Sequence, residues 1–230
     1  MSGAEIDPNS IPKRLLTWPA AFRLRPIAVP QNPYAAAVAG DEADIEALIA
    51  HCSSVGRHNR GLVPLPFLSD FAAPETVLAA FANPAPEWQF APTGLPHLAV
   101  AENAKAAIRM GKETFGQFLK DTDEGPCRVS FVLERFVLKG SFHEITDAEV
   151  FSRCYDAVDY TVSHQLVSAL RAAEADGLIY ARNEGNCAVV LKADCFSGYA
   201  RERALALDWD GIRFTRYFDY RDLYWAELTG

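Results

Sequence analysis

Cysteine is sparse in this 230-residue chain and shows no pairing pattern. The five residues, Cys52, Cys127, Cys154, Cys187 and Cys195, are odd in number and include no C-x-x-C spacing, which argues against a disulfide framework. Four of them sit inside apolar-periodic segments, as expected of small buried hydrophobes in a reducing cytoplasm; a reactive thiol at Cys187 is the alternative. Basic charge is also in deficit. With 22 Lys and Arg against 30 Asp and Glu, the net charge is -8. That opposes non-specific nucleic-acid binding, which rests on neutralising phosphates, and leaves only a local basic patch open.

Long hydrophobic runs are missing too. No stretch approaches the ~20 apolar residues of a membrane span. The first ten residues are polar and acidic rather than a signal peptide, so a soluble cytoplasmic protein is expected. No G-x-G-x-x-G, Walker-type, H-E-x-x-H or G-x-S-x-G motif occurs. The histidines (51, 58, 97, 143 and 164) are scattered, so no metal site is expected.

What is present is organised around residues 155–191. Asp159 or Thr161 can cap a helix that lines Val162, Leu166, Ala169, Leu170 and Ala173 along one face. Asp176-Gly177 is its expected stop. A strand over 178–181, a turn at Asn183-Glu184-Gly185-Asn186 and a buried strand over 187–191 follow.

Elsewhere, residues 1–20 read as a loose arm, and 21–29 as a first strand. Asp41 can cap a helix with Ile45, Leu48, Ile49 and Cys52 on one face. A further helix begins near Glu75, a short strand spans 98–101, and a long helix over 102–120 aligns Ala104, Ile108, Gly111, Phe115 and Leu119. The strongest strand is 128–138. Its apolar parity changes at Phe136 and Leu138, which predicts a bulge or bend. Thr146 can cap a short helix through Cys154. Asp210-Gly211, between alternating residues, predicts a hairpin within 205–217. No linker or repeat divides the chain. Helices interspersed with antiparallel strands, without a strand–helix–strand rhythm, give a single α+β domain with mixed-to-antiparallel sheets and flanking helices.

Four features can bind. Arg57-His58-Asn59-Arg60 is either an anion-binding cluster, with Arg60 a candidate, or a solvated loop. His164 and Gln165 lie on the first turn of the organising helix, as surface groups or with Gln165 donating to a ligand. Tyr180 and Arg182 share a strand face opposite Ala181. They can hold a base or phosphate, or pack on Trp or Phe. Trp88 and Phe90 lie in a loop as core plugs or pocket walls.

From about residue 21 to 196 the blocks resemble the RES-domain family in order and spacing. AFRLRPIAVPQNPY resembles its opening strand and proline-rich continuation, and VLAAF the short helix that follows. QFAPTGLPHLAVAENAKAAI falls at the first active-site motif, and GPCRVSFVLERFVL at the next strand. YTVSHQLVSALRAAEADGLIYARNEGNCAVVL resembles the closing block. The resemblance implies a compact α+β fold related to ADP-ribosyltransferases. It also implies a toxin of a toxin–antitoxin pair that cleaves NAD by phosphorolysis, hydrolysis or ADP-ribosyl transfer. Residues 197–230 would be an added hairpin and tail.

The family's Arg, Glu and Ser positions are replaced here. Gln89 falls at the Arg, Leu98 near an expected Tyr, Met110 at the Glu, and Ala181 or Arg182 at the Ser. Phe90, Gln165, Gly177, Tyr180 and Cys187 match. The resemblance therefore implies a catalytically impaired member that binds a nucleotide or a partner, with NAD as ligand or substrate and no permanently bound cofactor. An antitoxin-like protein or a second copy is the expected partner. The alternative is an active, divergent NAD-consuming toxin, with Arg60, Arg109 or Arg182 as anion clamp and Glu102 or Glu113 as carboxylate. Arg109 and Glu113, four apart, can instead pair with each other.

Overall fold

The computed structural model describes residues 7–26, 75–82 and 87–228. The predicted helix from Asp41, the cluster 57–60 with Arg60, and Cys52 lie outside the described residues. Among the described residues eight strands form one mixed sheet in the order β1-β2-β5-β4-β3-β6-β7-β8. They are β1 (Lys13–Pro26), β2 (Leu98–Ala101), β3 (Cys127–Glu144), β4 (Gly177–Arg182), β5 (Gly185–Val190), β6 (Phe196–Trp209), β7 (Phe214–Asp219) and β8 (Tyr224–Glu227). Among the described residues three α-helices accompany them: α1 (Glu75–Ala82), α2 (Ala104–Asp121) and α3 (Thr161–Ala172). This is a single compact α+β domain.

β1 also pairs with β3, so β1, β2, β5, β4 and β3 close a ring, and β6 to β8 extend from β3. Among the described strands only the β3–β4 pairing is parallel. Strand residues alternate between two cores. The inner one gathers Leu16 and Ala21, Leu98 and Val100, Phe136, Leu138 and Phe142, Ile179, and Ala188 and Val190, one set from each ring strand, with Val77 of α1. The outer core places Leu133, Leu178, Tyr180, Cys187 and Val189 against Ala107 and Met110 of α2 and Leu166 and Leu170 of α3.

The parity change read in β3 is largely a change of core. Phe131 and Leu133 face the outer core, and Phe136 and Leu138 the inner one. Bulges do occur here, but on β6. The β3–β6 register steps past Glu202 and past Gly198, and Gly198 supplies the positive φ of 65° that its bulge needs.

The first strand begins at Lys13, so residues 13–20 are sheet and not a loose arm. Pro19 is accommodated because the β1–β3 register breaks between Trp18 and Ala21, where no ladder N–H is required. The helix over 102–120 is α2, with Asn103 as its cap: Oδ1 accepts from the Ala106 N–H at 2.9 Å. The helix predicted through Cys154 is a short 3-10 turn, Ser152–Tyr155. The local cap is Asp147, whose carboxylate accepts from the Glu149 and Val150 N–H groups.

α3 starts one residue beyond Tyr160, and Asp159 Oδ1 accepts from the Thr161 N–H at 2.9 Å. Its stop is not Gly177. Glu174 takes the left-handed conformation (φ 52°), and the N–H groups of Ala175 and Glu174 bond back to the carbonyls of Leu170 and Arg171. That is a Schellman closure with glutamate in the place glycine favours. Gly177 opens β4 instead. A Cβ there would overlap the Val189 carbonyl and the Phe142 ring.

Candidate functional site

The loop over 87–95 crosses the outer core and brings Trp88 and Phe90 against β4. Phe90 and Tyr180 are both fully buried, with ring centroids 4.3 Å apart. Tyr155 meets Phe90 edge-on at 5.7 Å, and Trp88 lies 6.0 Å from both Phe90 and Tyr180. Met110 of α2 completes the packing. The Tyr180 hydroxyl donates to its Sδ at 3.5 Å. Burial pushes the Tyr180 phenol well above its ordinary pKa of 10, so it stays protonated at neutral pH and serves as a packing group.

Hydrogen bonds from α3 hold the loop. Ser163 Oγ donates to the Gln89 carbonyl, and His164 Nε2 donates to the Trp88 carbonyl at 2.8 Å. The Trp88 indole N–H donates to His97 Nε2 at 3.3 Å, while His97 Nδ1 meets the Leu95 carbonyl at 2.7 Å. These partners assign the proton to Nδ1 and leave the ring neutral. Burial, opposed by the Leu95 carbonyl, lowers its pKa.

Tyr155 was not singled out from the sequence. Its hydroxyl donates to the Ile145 carbonyl at 2.7 Å and accepts from the Ala181 N–H at 2.8 Å, bridging the loop after β3 to β4. Burial raises its pKa to about 12. An aromatic opening the polar run Tyr155-Asp156-Ala157-Val158-Asp159 was the available signal.

Of the positions that the resemblance sets at the family's Arg, Glu and Ser, Met110 meets the Tyr180 hydroxyl, Ala181 and Arg182 follow Tyr180 on β4, and Gln89 precedes Phe90 in the loop. Gln89 Nε2 donates outward, to the carbonyls of Cys154 at 3.4 Å and Asp156 at 3.3 Å. Gln165 is exposed on the outer side of α3, next to the engaged His164. Leu98 points the other way, into the inner core. Cys187 is buried, and desolvation raises its thiol pKa to about 11, far from a reactive thiolate.

Arg182 forms the rim. Its guanidinium lies 6.0 Å from both the Trp88 and Tyr180 ring centroids. It pairs with Glu113, which pairs with Arg109 at 3.0 Å; Arg109 reaches Glu184 at 3.4 Å, and Lys105 reaches Glu184 at 2.6 Å. The chain of charges holds the Glu184 carboxyl below its usual range, chiefly through Lys105, and raises the pKa of Arg109, chiefly through Glu113. Glu102 is committed elsewhere: its carboxylate accepts from the Asn186 N–H at 2.8 Å and Nδ2 at 3.2 Å, fixing the β4–β5 turn to α2. A cavity of about 190 Å³ lies away from this stack, between Lys13, Ser141, His143, Glu174 and Asp176. Among the described residues no group of three or more His, Cys, Asp or Glu side chains could hold a metal ion.

The fold and site thus describe an α+β domain with an aromatic-filled centre rimmed by paired charges. No protein-family model matches the sequence, and no curated protein does. Among solved structures, a chain of the MbcT–MbcA toxin–antitoxin complex of M. tuberculosis matches at 11% identity with a TM-score of 0.42, covering 91% of each chain. A likeness of that size does not define a family. No described helix is long and apolar enough to cross a membrane.

Proposed function

We propose that this chain is a RES-like protein that binds without cleaving NAD, its ancestral reaction centre filled by side chains. The carrying observation is the Phe90–Tyr180 stack, at 4.3 Å with both rings fully buried. Met110 and Arg182 border it and Gln89 precedes Phe90 in sequence; the resemblance aligns Gln89 with the reactive Arg, Met110 with the Glu, and Ala181 or Arg182 with the Ser. A transition state that develops positive charge on a ribose needs a nearby carboxylate and an anchored pyrophosphate. Met110 supplies no charge, and Gln89 donates to backbone. Losing one such stabiliser commonly costs about 10²–10³-fold in rate.

On this reading the protein is cytoplasmic, holds no permanent cofactor, and acts on a protein partner, an antitoxin-like chain or a second copy, rather than on nucleic acid or membrane. One observation favours an active, divergent enzyme instead. Arg182 and Glu113 are partly exposed beside Trp88, with side-chain exposures of 24% and 40%. Expression in bacteria with cellular NAD followed over time separates the two, with an active family member as control. The binding reading expects NAD to be spared. NAD loss that Arg182→Ala abolishes would replace it with the enzymatic one. Thermal-shift titration with NAD and ADP-ribose then tests for a surviving nucleotide site.

A further inference from the structure

The sheet face opposite Tyr180 carries a second polar cluster with a different charge balance. Arg23 of β1, Glu134 of β3 and Arg201 of β6 are register partners across three adjacent strands. Arg25 lies two residues along β1 and Tyr199 two along β6, so the five side chains share one face. Glu134 is fully buried. Its Oε1 accepts from Arg25 Nε at 2.9 Å and from the Tyr199 hydroxyl at 3.0 Å. Its Oε2 is buried with no hydrogen-bond donor among the described residues, the Arg23 guanidinium standing 4.0 Å off. Arg201 Nε reaches the Tyr199 hydroxyl at 3.4 Å and pairs with no carboxylate among the described residues.

One carboxylate therefore faces three guanidiniums. Among the described residues two positive charges are left over, in a place where a buried acceptor atom is also unfilled. Side chains that are mostly out of water tolerate neither condition well. Burial already lowers the pKa of Arg23, against the raising effect of Glu134. A dianion would balance the charge, and a dianion carrying an O–H would also supply the donor that Oε2 lacks. Guanidinium forks suit phosphoryl oxygens. Neighbouring strands lie about 4.8 Å apart, so Arg23 and Arg201 each flank Glu134 at about one such spacing and stand roughly twice that from each other, close enough to converge on one group.

We propose that Arg23, Arg25 and Arg201, set by Glu134 and Tyr199, bind a phosphoryl dianion that brings a hydroxyl with it, either free hydrogen phosphate through its own P–O–H or a phosphate monoester whose alcohol part carries a free O–H. This site lies on the inner-core face, away from the Phe90–Tyr180 stack, and does not depend on the function proposed above.

Thermal shift at pH 8 tests it, with inorganic phosphate and glycerol phosphate as probes. Sulfate, a dianion without a proton to donate, and chloride at matched ionic strength are the controls. The expected result is a saturable rise in melting temperature with at least one phosphate probe and beyond both controls; the better probe identifies the source. Arg201→Gln should weaken the response about tenfold or more, and Arg201→Lys, which keeps charge without the fork, should fall between. Broadening of the probe's phosphorus NMR line in wild type, lost in Arg201→Gln, reports binding without melting. A rise that sulfate equals, or that Arg201→Gln retains in full, or no rise with either probe, would overturn the proposal.

Discussion

Phe90→Ala is the substitution that most directly tests whether the centre is filled. Phe90 is fully buried and contacts three other rings, stacked on Tyr180 at 4.3 Å and flanked by Tyr155 and Trp88. Removing a buried phenyl group loses its transfer free energy and leaves a cavity, together about 3–5 kcal/mol. For a chain of this size each kcal/mol moves the melting temperature by about 2–4 °C, so a drop of roughly 6–20 °C is expected. Urea melts should show the same loss at an unchanged slope. The hole is ring-sized and apolar, and such cavities stay dry and take up benzene. Saturating benzene should therefore raise the melting temperature of Phe90→Ala but not of wild type. Tyr180→Phe is the internal control: it removes only a hydroxyl whose partner is a sulfur at 3.5 Å, and should cost under about 1 kcal/mol. If Phe90→Ala costs no more than the ~0.5 kcal/mol typical of a surface change, Phe90 lines an open pocket and the occlusion argument fails.

Three further outcomes follow from the backbone and from burial. Gly177→Ala forces a methyl group into the Val189 carbonyl and the Phe142 ring, and should cost about 3 kcal/mol or more or prevent folding; near-wild-type urea melts would contradict the β4–β5 geometry. Glu174→Gly relieves a left-handed glutamate (φ 52°) in the α3 stop and should stabilise by about 0.5–1 kcal/mol, against a loss if the helix really ended at Gly177. His97, whose pKa burial lowers from 6.5, stays neutral when folded at a pH where the unfolded chain takes up a proton. Its stabilising contribution is complete above pH 6.5 and is lost as pH falls below it, by up to about 1.4 kcal/mol per pH unit. His143 shifts in the same direction. Urea melts from pH 7.5 to 5 should show this slope and His97→Gln should flatten it; no slope in wild type refutes the assignment.

Local signals were legible where local forces decide. The strand Leu98–Ala101 is four apolar residues just after Pro96, and it forms with those bounds. Alternation placed Tyr180 and Arg182 on one face, and both turn toward Trp88. It could not tell that Tyr180 lies in the core while Arg182 sits at the rim, because that depends on Phe90 and Met110, 90 and 70 residues away in sequence. Residues 13–20 are less legible: Pro19 has the sequence character of a breaker, but at a register break it costs no ladder bond. Gly177 is ambiguous in the opposite sense, since its reason is a steric neighbour on β5 and not the end of a helix. The parity of β3 was visible, but only tertiary structure shows that both of its faces are covered.

The two faces of the sheet treat buried charge differently. A carboxylate at position 110 would sit where Met110 is 6% exposed, with a buried phenol as its near neighbour. An unpaired buried charge costs several kcal/mol, and Met removes that cost while keeping volume. On the proposed binding reading, an uncharged residue at position 110 lets Phe90 close onto Tyr180 at 4.3 Å. That reading expects Met110→Glu alone to leave NAD uncleaved when the variant is expressed in bacteria. At Glu134 the opposite holds. Its carboxylate is kept at full burial because Arg25 and Tyr199 hold one of its oxygens. Apolar side chains of similar volume would serve packing as well, so a carboxylate at full burial fits the anion site proposed above.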